Sequence, residues 1–232
     1  MIYVMSDIHG NFEKYSDMLE KLSLKDTDAL FILGDAIDGG KDGIKILKDM
    51  MYRPNVYPVL GEHEYLAKKL LPVLQNAQTA EECASLTETE EDKKLFARWI
   101  KIGGYPTLEA FLKLNEEEKE SILDYLSEFA PYDEVEAGDR DFVLVHAGIR
   151  GFEEGKDLDE YDEEDFVSEK ADYSSVYFKD KFLITGHTPT GEIGGKDGKV
   201  FSAKRHLAID SSENRDGRLS AVCLDTMKIY YV

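Results

Sequence analysis

Two stretches decide the fold: MIYVMSDIHG at residues 1–10 and ALFILGDAIDGG at residues 29–40. In each, a short run of β-prone apolar residues stops abruptly at a glycine or serine followed by an aspartate, as a buried strand does when it delivers polar groups to a sheet edge. Between them Phe12, Tyr15, Met18, Leu19 and Leu22 recur at helical spacing. The rhythm is β-α-β. Residues 43–51 predict another amphipathic helix, and Val56 to Leu60 a third strand, broken by Pro58 and closing on Gly61-Glu62-His63-Glu64. Three successive strands therefore end in acids and histidines.

From Tyr65 to about Phe129 the period becomes helical, with Thr79…Glu82 and Asn115…Glu118 spaced as N-terminal capping pairs and Gly103-Gly104 as a break. Residues 65–130 read as a helical insertion. Strand signals return at residues 142–145, 182–184, 207–209, 219–224 and 229–231. The acidic run EEGKDLDEYDEED (153–165) predicts a solvated loop, a rim that repels polyanions and admits basic phosphopeptides. We expect a single domain over residues 1–232.

Composition narrows the function. With 42% apolar and 11% aromatic residues the chain can bury a sizeable core, which excludes global disorder. Its 28 basic and 48 acidic residues give a net charge of −20, the wrong sign for holding nucleic acid or an anionic membrane surface. Cys83 and Cys223 stand far apart, in no disulfide or zinc pattern. The N-terminus carries no secretory pattern and no apolar run reaches the ~20 residues that span a bilayer, so a cytoplasmic protein is expected.

Five short motifs follow predicted strands: Asp7-Ile8-His9-Gly10, Gly34-Asp35-Ala36-Ile37-Asp38-Gly39, Gly61-Glu62-His63-Glu64, His146-Ala147-Gly148 and Gly186-His187-Thr188-Pro189. Four of the five histidines lie in them; His206, the fifth, reads as structural. Carboxylate and imidazole ligands on neighbouring loops suit a pair of divalent cations, and an aspartate with two oxygens can bridge them. Two such ions make hydroxide available at neutral pH for attack on phosphorus. That chemistry suits a phosphate ester.

These motifs, in this order, resemble the calcineurin-like metallophosphoesterases, specifically the bacterial phosphoprotein phosphatase branch related to symmetrical diadenosine tetraphosphatases. Trp99-x-x-x-Gly103-Gly104-x-x-Thr107-Leu108, Ile209-Asp210-Ser211 and Gly217-Arg218-Leu219 extend the likeness over nearly the whole chain. The resemblance implies an α/β fold, a four-layer α-β-β-α sandwich of two mixed sheets with a helical insertion. It implies that Asp7, His9 and Asp35 hold one metal and that Asp35 bridges to a second, held also by Glu62, His146 and His187. His63 would be the general acid, oriented by Asp38. The metals would be manganese, with iron or zinc also compatible with the ligands.

The chain departs from that pattern in three places. Glu62 replaces an asparagine, so three carboxylates would face the ions, raising affinity and lowering Lewis acidity. Gly39 replaces an arginine that would grip the substrate phosphate, and Arg150 and Lys170 are the candidates for the remaining phosphate contact. The expected activity is that of a two-metal phosphomonoesterase, a serine/threonine protein phosphatase. The rival readings are a dinucleoside polyphosphate hydrolase and a weakly active metal-binding scaffold.

Overall fold

Alternation along the strands decides how the layers stack. In β1 (Ile2–Met5), Val4 points to one face and Tyr3 and Met5 to the other; in β2 (Ala29–Leu33), Phe31 and Leu33 oppose Leu30 and Ile32. In β5 (Arg140–Val145), Phe142 and Leu144 oppose Val143 and Val145. Val4, Phe31, Leu33, Phe142 and Leu144 all join one buried cluster, so the two sheets face each other across it. The opposite faces join a second, larger cluster with the helices. Runs that are apolar throughout thus reflect strands covered on both sides.

The computed structural model describes residues 1–195, 198–212 and 217–232. Its first sheet has the order β10-β9-β1-β2-β3, adding β3 (Val56–Val59), β9 (Ser220–Cys223) and β10 (Lys228–Tyr231). The second has the order β4-β5-β6-β8-β7, with β4 (Tyr132–Ala137), β6 (Lys181–Thr185), β7 (Phe201–Ala203) and β8 (His206–Ala208). Both are mixed: β1-β2-β3 and β5-β6-β8 are parallel and their flanks antiparallel. With helices on the outer faces, this is the expected sandwich of two mixed sheets.

Helices α1 (Phe12–Leu22) and α2 (Gly43–Met51) follow β1 and β2. Between β3 and β4 the chain forms α3 (Glu62–Leu74), α4 (Ala80–Leu86), α5 (Glu90–Ile102), α6 (Tyr105–Leu112) and α7 (Glu116–Ser127). Both expected caps form: Thr79 accepts from the Glu82 amide at 3.3 Å, and Asn115 and Glu118 make a reciprocal box. The acidic run is more ordered than a solvated loop. It contains a 3-10 turn at Leu158–Glu160 and a short helix, α8 (Glu163–Val167), anchored by buried Leu158, Phe166 and Val167. Strands β4 and β7 were missed: one is an edge strand that exposes Glu134 and Glu136, the other only three residues long.

His206 is buried on β8, stacked on Tyr173 with ring centroids 4.6 Å apart, and its Nε2 lies 3.0 Å from Thr185 Oγ1. Burial lowers its pKa to about 4, so the folded state holds it neutral. A depressed histidine pKa means stability is lost as pH falls below the unfolded value near 6.5. Between pH 7 and pH 5 the wild type should lose about 2 kcal/mol more than His206→Gln in urea unfolding. Equal losses in the two proteins would show that His206 does not carry this acid sensitivity.

Candidate metal centre

The parallel strands of both sheets release their chains toward one place. β1 ends at Ser6-Asp7, β2 at Gly34-Asp35, β5 at His146 and β6 at Gly186-His187, while α3 begins directly after β3. The first two loops are laced together: the Asp7 amide donates to Gly34 O at 3.1 Å, His9 to Asp35 O at 2.9 Å and Gly10 to Ala36 O at 2.9 Å. Asp7, His9, Asp35, Asp38 and His187 all have left-handed backbones, with φ between 47° and 65°. Such conformations cost of order 1–3 kcal/mol each and gather where geometry matters more than ease. Gly186 is required by close approach, because a side chain there would collide with Ser6 and Asp7. Its absence lets the His187 amide reach both Asp7 carboxylate oxygens at 3.1 Å.

Asp35 stands at the centre, only 3% exposed. Its Oδ2 lies 3.3 Å from His146 Nε2 and 3.7 Å from His63 Nε2, and its Oδ1 accepts from the His63 amide at 3.1 Å. Burial would raise its pKa, but the surrounding imidazoles of His146, His63 and His9 hold it well below the usual carboxylate range. Two groups of ligand atoms share it: His9-Asp35-His63 and Asp35-His146-His187, with all atoms of each within 4.8 Å of one another.

The tautomer of His146 tests whether cations fit. Its Nδ1 donates to Leu33 O at 2.7 Å, so Nε2 carries a lone pair unless a second proton is added. That nitrogen faces Asp35 Oδ2 and, at 3.2 Å, His187 Nδ1. Lone pairs gathered in a largely buried space need positive charge between them, either a proton or a metal. Without a metal, burial opposes protonation of His146, but Asp35 overcomes it and raises the pKa to about 10. The mixed imidazole and carboxylate donors fit borderline divalent ions.

Around this centre each side chain is held in turn. His63 Nδ1 lies 2.6 Å from Asp38 Oδ2, and Trp99 Nε1 donates to the same oxygen at 2.6 Å. Burial lowers the His63 pKa, but the Asp35 and Asp38 carboxylates raise it to about 9 overall. The Asp38 amide donates to Thr107 Oγ1 at 3.0 Å, which ties this loop to α6. Glu64 is fully buried; its carboxylate accepts from the amides of Asp35, Ala36 and Ile37 at 2.7, 2.9 and 3.1 Å, fixing the loop that carries Asp35. Asp7 is pushed well above its ordinary pKa by burial and then by the Asp210 and Asp35 carboxylates.

The structure gathers Asp7, His9, Asp35, Asp38, His63, His146 and His187 through the contacts just given, with Asp7 Oδ1 4.0 Å from His9 Nε2. Glu62 joins from the first turn of α3 rather than a strand end, and its Oε2 lies 3.9 Å from His187 Nδ1. Its other oxygen accepts from Arg98 Nε at 2.9 Å and from Arg98 Nη2. Glu62 is therefore not the full third negative charge that its residue type implies, because Arg98 pairs with it. Arg150 binds Asp165 at 2.6 Å and Lys170 lies 3.7 Å from Glu192, so their recorded partners lie outside this group. Glu64, Arg98, Trp99, Thr107 and Asp210 were given no role from sequence. Glu64, Trp99, Thr107 and Asp210 stand in motifs quoted from the sequence, and Arg98 alone of the five does not.

The sequence profile described as calcineurin-like phosphoesterase matches residues 1–211. The serine/threonine-protein phosphatase 2 of Salmonella typhimurium is 26% identical over 90% of this chain and 80% of its own length. A symmetrical bis(5'-nucleosyl)-tetraphosphatase of Buchnera aphidicola is 41% identical over 64 residues, 27% of this chain, so the match takes in only 23% of that protein. Among solved structures, a candidate diadenosine tetraphosphatase superposes with a TM-score of 0.68 at 19% identity, covering 100% of this chain and 92% of that one, a likeness of fold. Matched along residues 1–211 of its 232, the chain belongs to the calcineurin-like phosphoesterase family.

Proposed function

We propose that the protein is a two-metal phosphomonoesterase acting on phosphoserine or phosphothreonine in proteins. The observation that carries this reading is the buried Asp35 carboxylate shared by two groups of imidazole nitrogens. Asp7, His9 and Asp35 would hold one ion, and Asp35, Glu62, His146 and His187 the other. Such a pair supplies positive charge that makes water a nucleophile and offsets charge on the phosphate. Manganese is our choice of metal, with iron or zinc compatible with the same donors.

The chain's own residues do the rest. His63 delivers a proton to the departing oxygen, since its elevated pKa keeps it charged at neutral pH. Asp38, itself held by the Trp99 indole N–H, orients that ring, and Glu64 keeps the Asp35 loop from drifting. Arg150 and Lys170 are the candidates for the remaining contact to the substrate phosphate, which each would make by leaving its ion pair with Asp165 or Glu192. The likeness to a protein phosphatase over 90% of this chain supports this substrate class. We read residues 1–232 as one domain with an insertion at about 65–130, working in the cytoplasm without nucleic acid or membrane partners. The buried, unpaired Cys83 and Cys223 support a reducing setting.

One observation favours a second reading, hydrolysis of a dinucleoside polyphosphate. A cavity of about 650 Å³ adjoins Asp7 and His9, lined also by Lys14, Lys41, Ile102 and Arg218, a size that accepts a nucleoside. Comparing kcat/KM on a phosphopeptide and on diadenosine tetraphosphate decides between them. The first reading expects the phosphopeptide to be turned over faster, and the reverse order would replace it.

Two substitutions test the roles assigned. Asp35→Asn should abolish hydrolysis. His63→Asn should lower kcat on a phosphoserine peptide by about 10²–10⁴, but far less on p-nitrophenyl phosphate, whose leaving group needs no proton. Equal losses on both substrates would remove His63 from the role of acid.

A further inference from the structure

Helix α5 places consecutive residues on two different carboxylates of the site. Trp99 Nε1 donates to Asp38, and Arg98 donates through Nε, at 2.9 Å, and Nη2 to Glu62 Oε1. Glu62 is thus divided: Oε1 is taken by the guanidinium, and Oε2 faces His187 Nδ1 at 3.9 Å on the edge of the Asp35-His146-His187 group. The Glu62 side chain is 15% exposed and that of Arg98 34%, so the pair lies at the rim of the site, where water screens the two charges only in part.

We infer that Arg98 is a positioning residue that makes Glu62 an effectively uncharged, one-oxygen ligand for the second cation. This rests on the reading of the site as a two-cation centre and goes beyond it by assigning its affinity to a residue of the insertion. Two consequences follow from the geometry. With Oε1 occupied, Glu62 cannot chelate an ion through both oxygens. With a cation beside it, its charge is cancelled at short range, so the second site holds its ion less tightly than the two full carboxylates of Asp35 and Glu62 would dictate.

Charge compensation has a signature that a merely structural ion pair lacks, because the two deletions act in opposite directions. Calorimetric titration of the metal-free protein with Mn²⁺ reads it directly. Arg98→Met should tighten the weaker of the two binding steps by about tenfold, since it removes a nearby positive charge and frees an oxygen. Glu62→Gln should weaken that step, and the double variant should return to within about threefold of the wild type. A structural pair would instead weaken binding in both single variants, with no recovery in the double.

Unchanged or weaker binding in Arg98→Met overturns the inference, as does a double variant that behaves like either single one. If Arg98→Met does not fold, Arg98→Gln takes its place; it keeps a donor for Oε1 while removing the charge, so a smaller tightening, from the lost charge alone, is expected. Wild-type protein that binds fewer than two ions would overturn the two-cation reading itself. Two ions in the wild type with no tightening in the variant would overturn only the role of Arg98.

Discussion

A carboxylate with almost no exposure to water must find compensating partners inside the protein, and Asp35 is surrounded by imidazoles on three sides, of which His63 and His146 have raised pKa values. That need organises the site. The imidazoles of His9, His63 and His146 come from the β1 loop, the first turn of α3 and the end of β5, so no single element could supply them. Parallel strands in both sheets must end at a common edge for these groups to meet. The cluster between the sheets, from Val4 and Phe31 to Phe142 and Leu144, fixes that alignment at a distance from the chemistry.

The same demand explains where the backbone is strained. Five of the nine non-glycine residues with positive φ among those described are site residues. These left-handed residues lie in the loops that leave β1, β2 and β6, where they reverse the chain and keep carboxylates and imidazoles close together. The cost is offset by hydrogen bonds that bind the loops to one another, and Glu64 contributes three of these. The helical insertion completes the enclosure by reaching the dyad of His63 and Asp38 through Trp99 and Thr107.

Much of this was legible in the sequence, for a physical reason. Strands buried on both faces are continuous apolar runs, and the acids and histidines that interrupt them stand out against such a background; Asp7, Asp35, His146 and His187 were found that way. Strand β4 was not, because its exposed glutamates mask its alternation. Arg98 lies on a helix whose pattern only says that it packs, and although Trp99 belongs to a motif, which site residue each reaches depends on how α5 docks. Asp210 was noticed as part of a motif, but its nearness to Asp7 comes from pairings far along the chain. Long-range partners of this kind leave no local trace.

The central claim is that Asp35 is shared between two cations. A crystal grown with manganese, measured near its absorption edge, tests it most directly through the anomalous-difference map. The account predicts two peaks about 3.5–4 Å apart, one on each side of the Asp35 carboxylate and each bordered by the histidines named above. A single peak, or peaks that leave Asp35 uncoordinated, would contradict it.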